Sequence, residues 1–226
     1  MTSKLVETWL TNSQEEDAMF DDHYSLWQVM IERMSEANLK EKTVLDFGCS
    51  QGGFLRVLYQ QKPFRQGIGI DVARQAVQIA NDSKEDLPIV YEVRDNLEPF
   101  QAAIDIAFSH EVLYLIRDLK RHAREIFTCL QPKGVYYAAL GCHSDNPLWS
   151  NWKEMIAAES NLEVQNYSLN FIADTFRDAG FSVFAQKYML NDFMLMKESS
   201  IYFPNVIDSL NYYWDYKILW KFVKPA

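Results

Sequence analysis

The sequence predicts an α/β fold in which buried parallel strands alternate with helices. Three observations carry that expectation. Short apolar runs recur, as in Val44-Leu45-Asp46-Phe47 and Gln66-Gly67-Ile68-Gly69-Ile70-Asp71, with a carboxylate in or closing each strand. Between them lie stretches with apolar residues three and four positions apart, the spacing of an amphipathic helix. The first run also breaks at Gly48 and resumes, after a small-residue turn, as the helical Phe54-Leu55-Arg56-Val57-Leu58-Tyr59. Near-continuous apolar strands are buried on both faces, and that is the situation of a parallel sheet.

Residues 1–41 are mostly helical by pattern, with apolar positions in Tyr24-Ser25-Leu26-Trp27-Gln28-Val29-Met30-Ile31 at spacings of three and four. Trp9, Phe20, Tyr24 and Trp27 make this segment rich in rings. They either pack the leading helix onto the domain or, as for Tyr24 and Trp27, line a pocket for substrate. The core then begins at Lys42. The glycine turn Gly48-Cys49-Ser50-Gln51-Gly52-Gly53 is a place where backbone N–H groups meet a ligand, because glycine allows sharp turns and close approach. It departs from the dinucleotide fingerprint G-x-G-x-x-G, since Ser50 stands at the second glycine. Asp46 precedes the turn by two residues, and a carboxylate there suits a cationic ammonium group over a diphosphate.

Asp71 ends the second strand about twenty residues past the turn, the place from which a carboxylate reaches ribose hydroxyls. Its alternative is to cap the helix that starts at Val72. A third strand, 89–97, closes on Asp95-Asn96, and a fourth is Ile104-Asp105-Ile106-Ala107-Phe108. After the fourth strand come Ser109-His110-Glu111-Val112-Leu113-Tyr114, then a helix over Lys120–Leu130 and the turn Gln131-Pro132-Lys133-Gly134 into a fifth strand ending at Leu140. In that turn Pro stops the helix and Gly134 supplies backbone freedom. A helix over Asn170–Gly180, a sixth strand over Phe181–Leu190 and a seventh over Lys217–Val223 complete the pattern.

These features resemble, in order and spacing over residues 42–140, the class I S-adenosylmethionine-dependent methyltransferases. Asp46-Phe47-Gly48-Cys49-Ser50-Gln51-Gly52 matches motif I, (D/E)-x-G-x-G-x-G, with Ser50 departing at the middle glycine. The stretch from Phe108 to Asp118 is similar to motif IV and its downstream helix, and Leu130 to Gly134 to the L-x-P-x-G turn. The resemblance implies a Rossmann-like fold with a seven-stranded, mostly parallel sheet, an antiparallel strand seven, and helices on both faces. It implies S-adenosyl-L-methionine held by Asp46, Gly48, Cys49, Ser50, Gly52, Asp71, Val72, Asp95, Asn96, Ser109 and His110, with Asp95 meeting the adenine amine or serving as a plain turn residue.

The whole chain is expected to be one domain. Residues 1–41 form a helical cap, 42–140 the cofactor core, and 142–168 and 191–216 are insertions forming a substrate lid. Methyl transfer from a sulfonium needs mainly alignment, which supplies about 7–11 kcal/mol. A base matters only when the acceptor must lose a proton. His110 is the first candidate because histidine titrates near neutrality, unless only its backbone serves the cofactor. Glu111 comes next, with a first-turn helix position as its alternative, and then His143. Tyr114 and Trp149 join Tyr24 and Trp27 as substrate-lining candidates. His23 reads as surface or packing, and His122 as part of a surface helix.

A net charge of −9 and a pI of about 5.0 argue against a long nucleic acid as substrate. The amino-methylating N/D-P-P-Y/F motif and a Pro-Cys pair are missing, and the three cysteines show no zinc spacing. With the aromatic insertions, these absences favour a small, partly apolar acceptor. The odd cysteine count fits a reducing compartment, and no stretch reads as a signal peptide or membrane span, so a cytoplasmic location is expected. A homodimer is left open. Competing readings are a non-catalytic cofactor-binding or scaffolding protein, and a transfer-RNA or protein methyltransferase.

Overall fold

The computed structural model describes residues 5–11, 13–190 and 202–226. Among them, strands β1 (Leu39–Phe47), β2 (Phe64–Asp71), β3 (Ile89–Val93), β4 (Ile104–His110), β5 (Leu130–Leu140), β6 (Ser182–Lys187) and β7 (Ile218–Val223) form one sheet. Their order is β3-β2-β1-β4-β5-β7-β6. Only β7 runs against its neighbours, pairing antiparallel with both β5 and β6. Helices α1 (Ser13–Arg33), α2 (Gly53–Gln61), α3 (Arg74–Asp82), α4 (Leu119–Cys129), α5 (Trp149–Glu159), α6 (Leu169–Asp178) and α7 (Val206–Asn211) complete the fold.

Alternation along the strands divides the core in two. Leu45, Ala107, Tyr136, Ala138, Leu140, Trp220 and Phe222 face one side, with Ile126 of α4, Trp149 and Trp152 of α5 and Phe176 of α6. Val44, Ile106, Phe108, Val135, Tyr137, Ala139 and Leu219 face the other, with Met30 of α1, Leu55 and Leu58 of α2 and Val77 of α3. A period of two in a strand buried on both faces requires apolar residues at successive positions, and Val44–Leu45 of β1, Ile106–Phe108 of β4 and Val135–Leu140 of β5 supply them. On the free edge, Lys84 Nζ and Asn81 Nδ2 donate to the Ile89 and Tyr91 carbonyls at 2.9 Å each, which protects β3 from edge pairing.

Several boundaries differ from expectation. β1 begins at Leu39 and carries Lys40, Glu41 and Lys42, with Lys42 pairing to Asp105 at 3.0 Å. β3 ends at Val93, so Asp95 and Asn96 lie in the loop beyond it. β6 is shorter than 181–190, and α6 starts at Leu169 because the Ser168 hydroxyl accepts from the Phe171 N–H. β5 already begins at Leu130, so the expected turn Gln131–Gly134 lies within the strand, and its left-handed residue is Lys133 (φ 65°), not Gly134. Gly134 is needed for closeness instead, since a Cβ there would lie 2.8 Å from the Gln131 carbonyl.

The strand order reverses between β1 and β4, so their carboxyl ends open a crevice of the kind that holds ligands in α/β sheets. Residues 5–11 run across this end of the sheet. Val6 accepts from Arg74 N–H and donates to Val72 O, both at 3.0 Å, and Thr11 N–H reaches Glu159 O at 2.7 Å. The segment thereby ties the start of α3 to the end of α5. No described helix is long and apolar enough to cross a membrane.

Candidate active site

The turn after β1 is a cradle held from several sides. The Gly48 and Cys49 N–H groups both donate to Ile70 O, at 2.8 and 3.1 Å, and Ser50 N–H donates to Asp71 Oδ2 at 2.9 Å. Gly48 has φ 79°, and a Cβ there would lie 2.5 Å from Val112, so no other residue fits without displacement. Ser50 also sits in the left-handed region, at φ 45°, which explains why a glycine suits this position better. At Gly52 the space freed by the missing Cβ is taken by the protein itself. Tyr91 packs there and its hydroxyl donates to Gly52 O at 2.8 Å. Sequence alone gives no hint of this role for Tyr91, which lies 39 residues away and looks like any inward-facing strand residue.

Asp46 is buried. Burial, reinforced by the charge of Asp71, pushes its pKa up to about 8. Burial also raises Asp71, partly offset by hydrogen bonds from the Ala73, Ser50 and Val72 backbone. Asp71 therefore fills part of the capping role, through Ala73 N–H at 2.9 Å, yet a carboxylate has about four lone-pair sites, so it retains capacity for a ligand hydroxyl. A buried Asp46 beside a half-buried Asp71 makes a field that favours a cation. Cys49 is buried beside them, its thiol pushed well up by burial. The Val72 carbonyl is occupied by Val6. Asp95 and Asn96 are partly exposed and joined by a side-chain hydrogen bond of 3.0 Å.

At the end of β4, Ser109 turns its hydroxyl into the core, 2.6 Å from the Tyr136 hydroxyl, which in turn lies 3.2 Å from His122 Nε2. His122 is thus not a surface residue. It is buried against Phe47, and burial lowers its pKa to about 3. His110 is enclosed at the ring, its Nε2 has no hydrogen-bond partner, and burial with the charges of Lys217 and His23 holds its pKa well below the usual imidazole value. The His23 ring on α1 lies against it edge to face, with centroids 4.8 Å apart.

Glu111 does not start a helix; it has φ 55° and turns back under β5. Its carboxylate accepts from Gly141 N–H at 2.9 Å, from the Tyr212 hydroxyl at 3.1 Å and from the buried ammonium of Lys217. Burial alone would raise its pKa, but Lys217 and these hydrogen bonds hold it below the ordinary carboxylate value. His143 is buried, with Nε2 2.7 Å from Tyr216 O, and burial lowers its pKa. Of the ring residues, Tyr24 is exposed, Trp27 packs on Phe54, and Tyr114 packs on Trp149, whose indole donates to Asn166 at 2.9 Å. The side chain of Phe20 and residues 191–201 of the second insertion lie outside the described residues. The crevice thus brings together Asp46, Asp71, the glycine turn, His110 and His23. Trp149 and His143 belong to the packing behind it, whereas the shallow groove along Arg65, Leu87 and Val90 lies at the opposite ends of β2 and β3.

A family described as a methyltransferase domain matches residues 20–186. The chain belongs to that family. It is a class I S-adenosylmethionine-dependent methyltransferase, and its seven-stranded sheet with antiparallel β7 is the fold of its structural neighbours. No curated protein matches the sequence. Among solved structures, a chain of the complex between the Haloferax volcanii Trm112 methyltransferase activator and its methyltransferase is 23% identical, with 94% of this chain and 95% of that one covered at a TM-score of 0.81. An S-adenosylmethionine-dependent methyltransferase from Mesorhizobium loti is 14% identical over 91% and 100%, TM-score 0.68. The geranyl diphosphate C-methyltransferase of Streptomyces coelicolor, in complex with S-adenosyl-L-homocysteine, is 14% identical over 89% and 76%, TM-score 0.68.

Proposed function

We propose that this methyltransferase binds S-adenosyl-L-methionine in the β1–β4 crevice and methylates a small, partly apolar acceptor by in-line displacement. The observation that carries the cofactor assignment is Asp46, a buried carboxylate that burial and the charge of Asp71 push up to about 8 with no opposing charge beside it. A cationic ligand supplies what it lacks. In this reading the ammonium end of the cofactor lies against Asp46 and the Gly48–Gly52 turn, Asp71 takes the ribose hydroxyls, and Asp95 with Asn96 takes the adenine. The bound cofactor contributes an electron-poor methyl group on a neutral leaving group. The chain's share is to hold the acceptor in line and keep water out, and residues 5–11 with the 142–168 and 191–216 insertions would close over that space.

The test is a melting-temperature titration with S-adenosylmethionine, S-adenosylhomocysteine and NAD, followed by a tritium-methyl screen over metabolite pools and RNA. Stabilisation by the first two and not by NAD is expected; the reverse refutes the cofactor assignment. Asp71→Ala should weaken cofactor binding by ~1–3 kcal/mol if it holds the ribose. A second reading is favoured by the Haloferax match, which extends over nearly the whole of both chains: this chain too would work with a methyltransferase activator protein. Co-expression with such a partner would then raise solubility and labelling; no complex on gel filtration refutes it.

A further inference from the structure

We propose that Tyr91 is a positioning residue for the amino-acid end of the cofactor, holding the Gly52–Gly53 peptide so that its N–H is presented to the cofactor carboxylate. This deepens the reading of the crevice as an S-adenosylmethionine site and rests on it. The ring is seated by two elements. Gly52 caps the start of α2, and Gly69 of β2 pairs with Tyr91 across the sheet. A Cβ at Gly52 would lie 2.4 Å from Tyr91 Cζ, and one at Gly69 2.3 Å from Tyr91 Cδ1. The two missing Cβ atoms open one slot, and at its end the buried hydroxyl donates to Gly52 O at 2.8 Å. A phenylalanine ring would fill that slot equally well, so what the hydroxyl adds is its hold on the peptide.

Peptide geometry gives that hold a direction. A trans peptide is planar, with its C=O and N–H pointing opposite ways. Tyr91 takes the Gly52 carbonyl from the β3 side, so the Gly53 N–H of the same peptide points away from the ring. Gly53 opens α2, and the first N–H groups of a helix have no partner within it. No side chain caps α2 and no acidic residue lies in its first turn, so the positive end of its dipole suits an anion. The preceding peptide is fixed as well. Arg56 Nη1 donates to Gln51 O at 2.7 Å, and Gly52 N–H donates to Cys49 O at 2.8 Å. The Arg56 guanidinium also hydrogen-bonds the Tyr91 hydroxyl, which joins the two anchors. Asp46, to which the cofactor ammonium is assigned, lies close enough for its charge to act on the Tyr91 phenol. The ammonium and the carboxylate of one amino acid then meet groups set by one corner of the fold, while Asp71 and Asp95 are left to the adenosine.

The experiment compares Tyr91→Phe with the wild-type protein by calorimetry, using two ligands. One is S-adenosylhomocysteine; the other is methylthioadenosine, which keeps the adenosine and the thioether but lacks the amino-acid end. The variant should bind S-adenosylhomocysteine about five- to tenfold more weakly, and methylthioadenosine within about twofold of wild type. Asp71→Ala, by contrast, should weaken both. Amide NMR supplies a second readout: the Gly53 signal should move when S-adenosylhomocysteine saturates the wild type, and by much less in Y91F. A tyrosine that only stabilised the fold would lower the melting temperature without separating the two ligands. Unchanged affinity for S-adenosylhomocysteine, equal weakening of both ligands, or an equal Gly53 shift overturns the proposal. Arg56→Gln should show the same separation, and it decides alone if Y91F does not fold. Failure of the wild type to bind S-adenosylhomocysteine would instead refute the cofactor assignment, so the two failures are distinguishable.

Discussion

Replacing Lys217 with Met should be among the most damaging single changes in this protein. Lys217 and Glu111 pair at the foot of the crevice, 106 residues apart in sequence, with the ammonium fully enclosed. Removing the ammonium leaves Glu111 with Gly141 N–H and the Tyr212 hydroxyl but no countercharge. Breaking a buried pair by removing one partner costs about 3–5 kcal/mol, and in a domain of this size each kcal/mol moves the melting temperature by about 2–4 °C. The expected drop is therefore about 6–20 °C. Its pH dependence has a definite sign. In the native protein Glu111 is held below its ordinary value, so its stabilisation is present above the unfolded pKa and is lost as pH falls through the folded one. Without Lys217, burial dominates and the group prefers to be protonated, so the variant loses stability as pH rises. The gap between the two proteins should narrow towards about pH 4 and widen towards about pH 7. Urea unfolding at both pH values, with the double variant E111M/K217M as reference, measures this. A loss below about 1 kcal/mol at neutral pH, or a gap independent of pH, refutes the pairing as a source of stability.

Cofactor binding should release up to one proton near pH ~6 and none near pH ~9, because Asp46 begins protonated with its pKa at about 8 and a cation favours the carboxylate. Calorimetry in buffers of different ionisation enthalpy reads the number, and a release that persists in Asp46→Asn would reject the assignment. Ser50→Gly should stabilise the fold by about 0.5–1 kcal/mol, the strain of a left-handed serine less the extra freedom glycine gains when unfolded; a destabilised variant would mean that the serine side chain does something else there. Gly69→Ala should cost about 1–3 kcal/mol, since its Cβ would lie 2.3 Å from the Tyr91 ring and 3.0 Å from Cys49. It should also weaken cofactor binding by loosening the Tyr91–Gly52 bond, and unchanged affinity would separate the ring from the cradle.

The part of this site legible in the sequence is local. Asp46, Asp71 and the glycine turn announce themselves because strand end, turn and helix start lie within a few residues, and their chemistry is set by backbone geometry. His122 was also within reach of pattern: with Leu119, Ala123, Ile126 and Cys129 it falls on the apolar stripe of α4, and a polar residue on such a stripe is buried and needs a partner, here Tyr136. The remainder of the site depends on contacts that no window of sequence contains. Lys217 reads as the polar first residue of an edge-like strand, yet the π-helical turn at Tyr212–Tyr216 delivers it inward beneath Glu111. His23 reads as one side chain among many on a long helix, and only the packing of α1 on α2, through Trp27 and Phe54, places its ring on His110. The half of the crevice to which we assign the cofactor is built from residues near one another in sequence and is therefore predictable from motif. The half that our proposal gives to the acceptor is assembled from α1, the end of β4 and the approach to β7. Its chemistry is set by tertiary packing, and it is there that members sharing one cofactor cradle have room to differ in what they methylate.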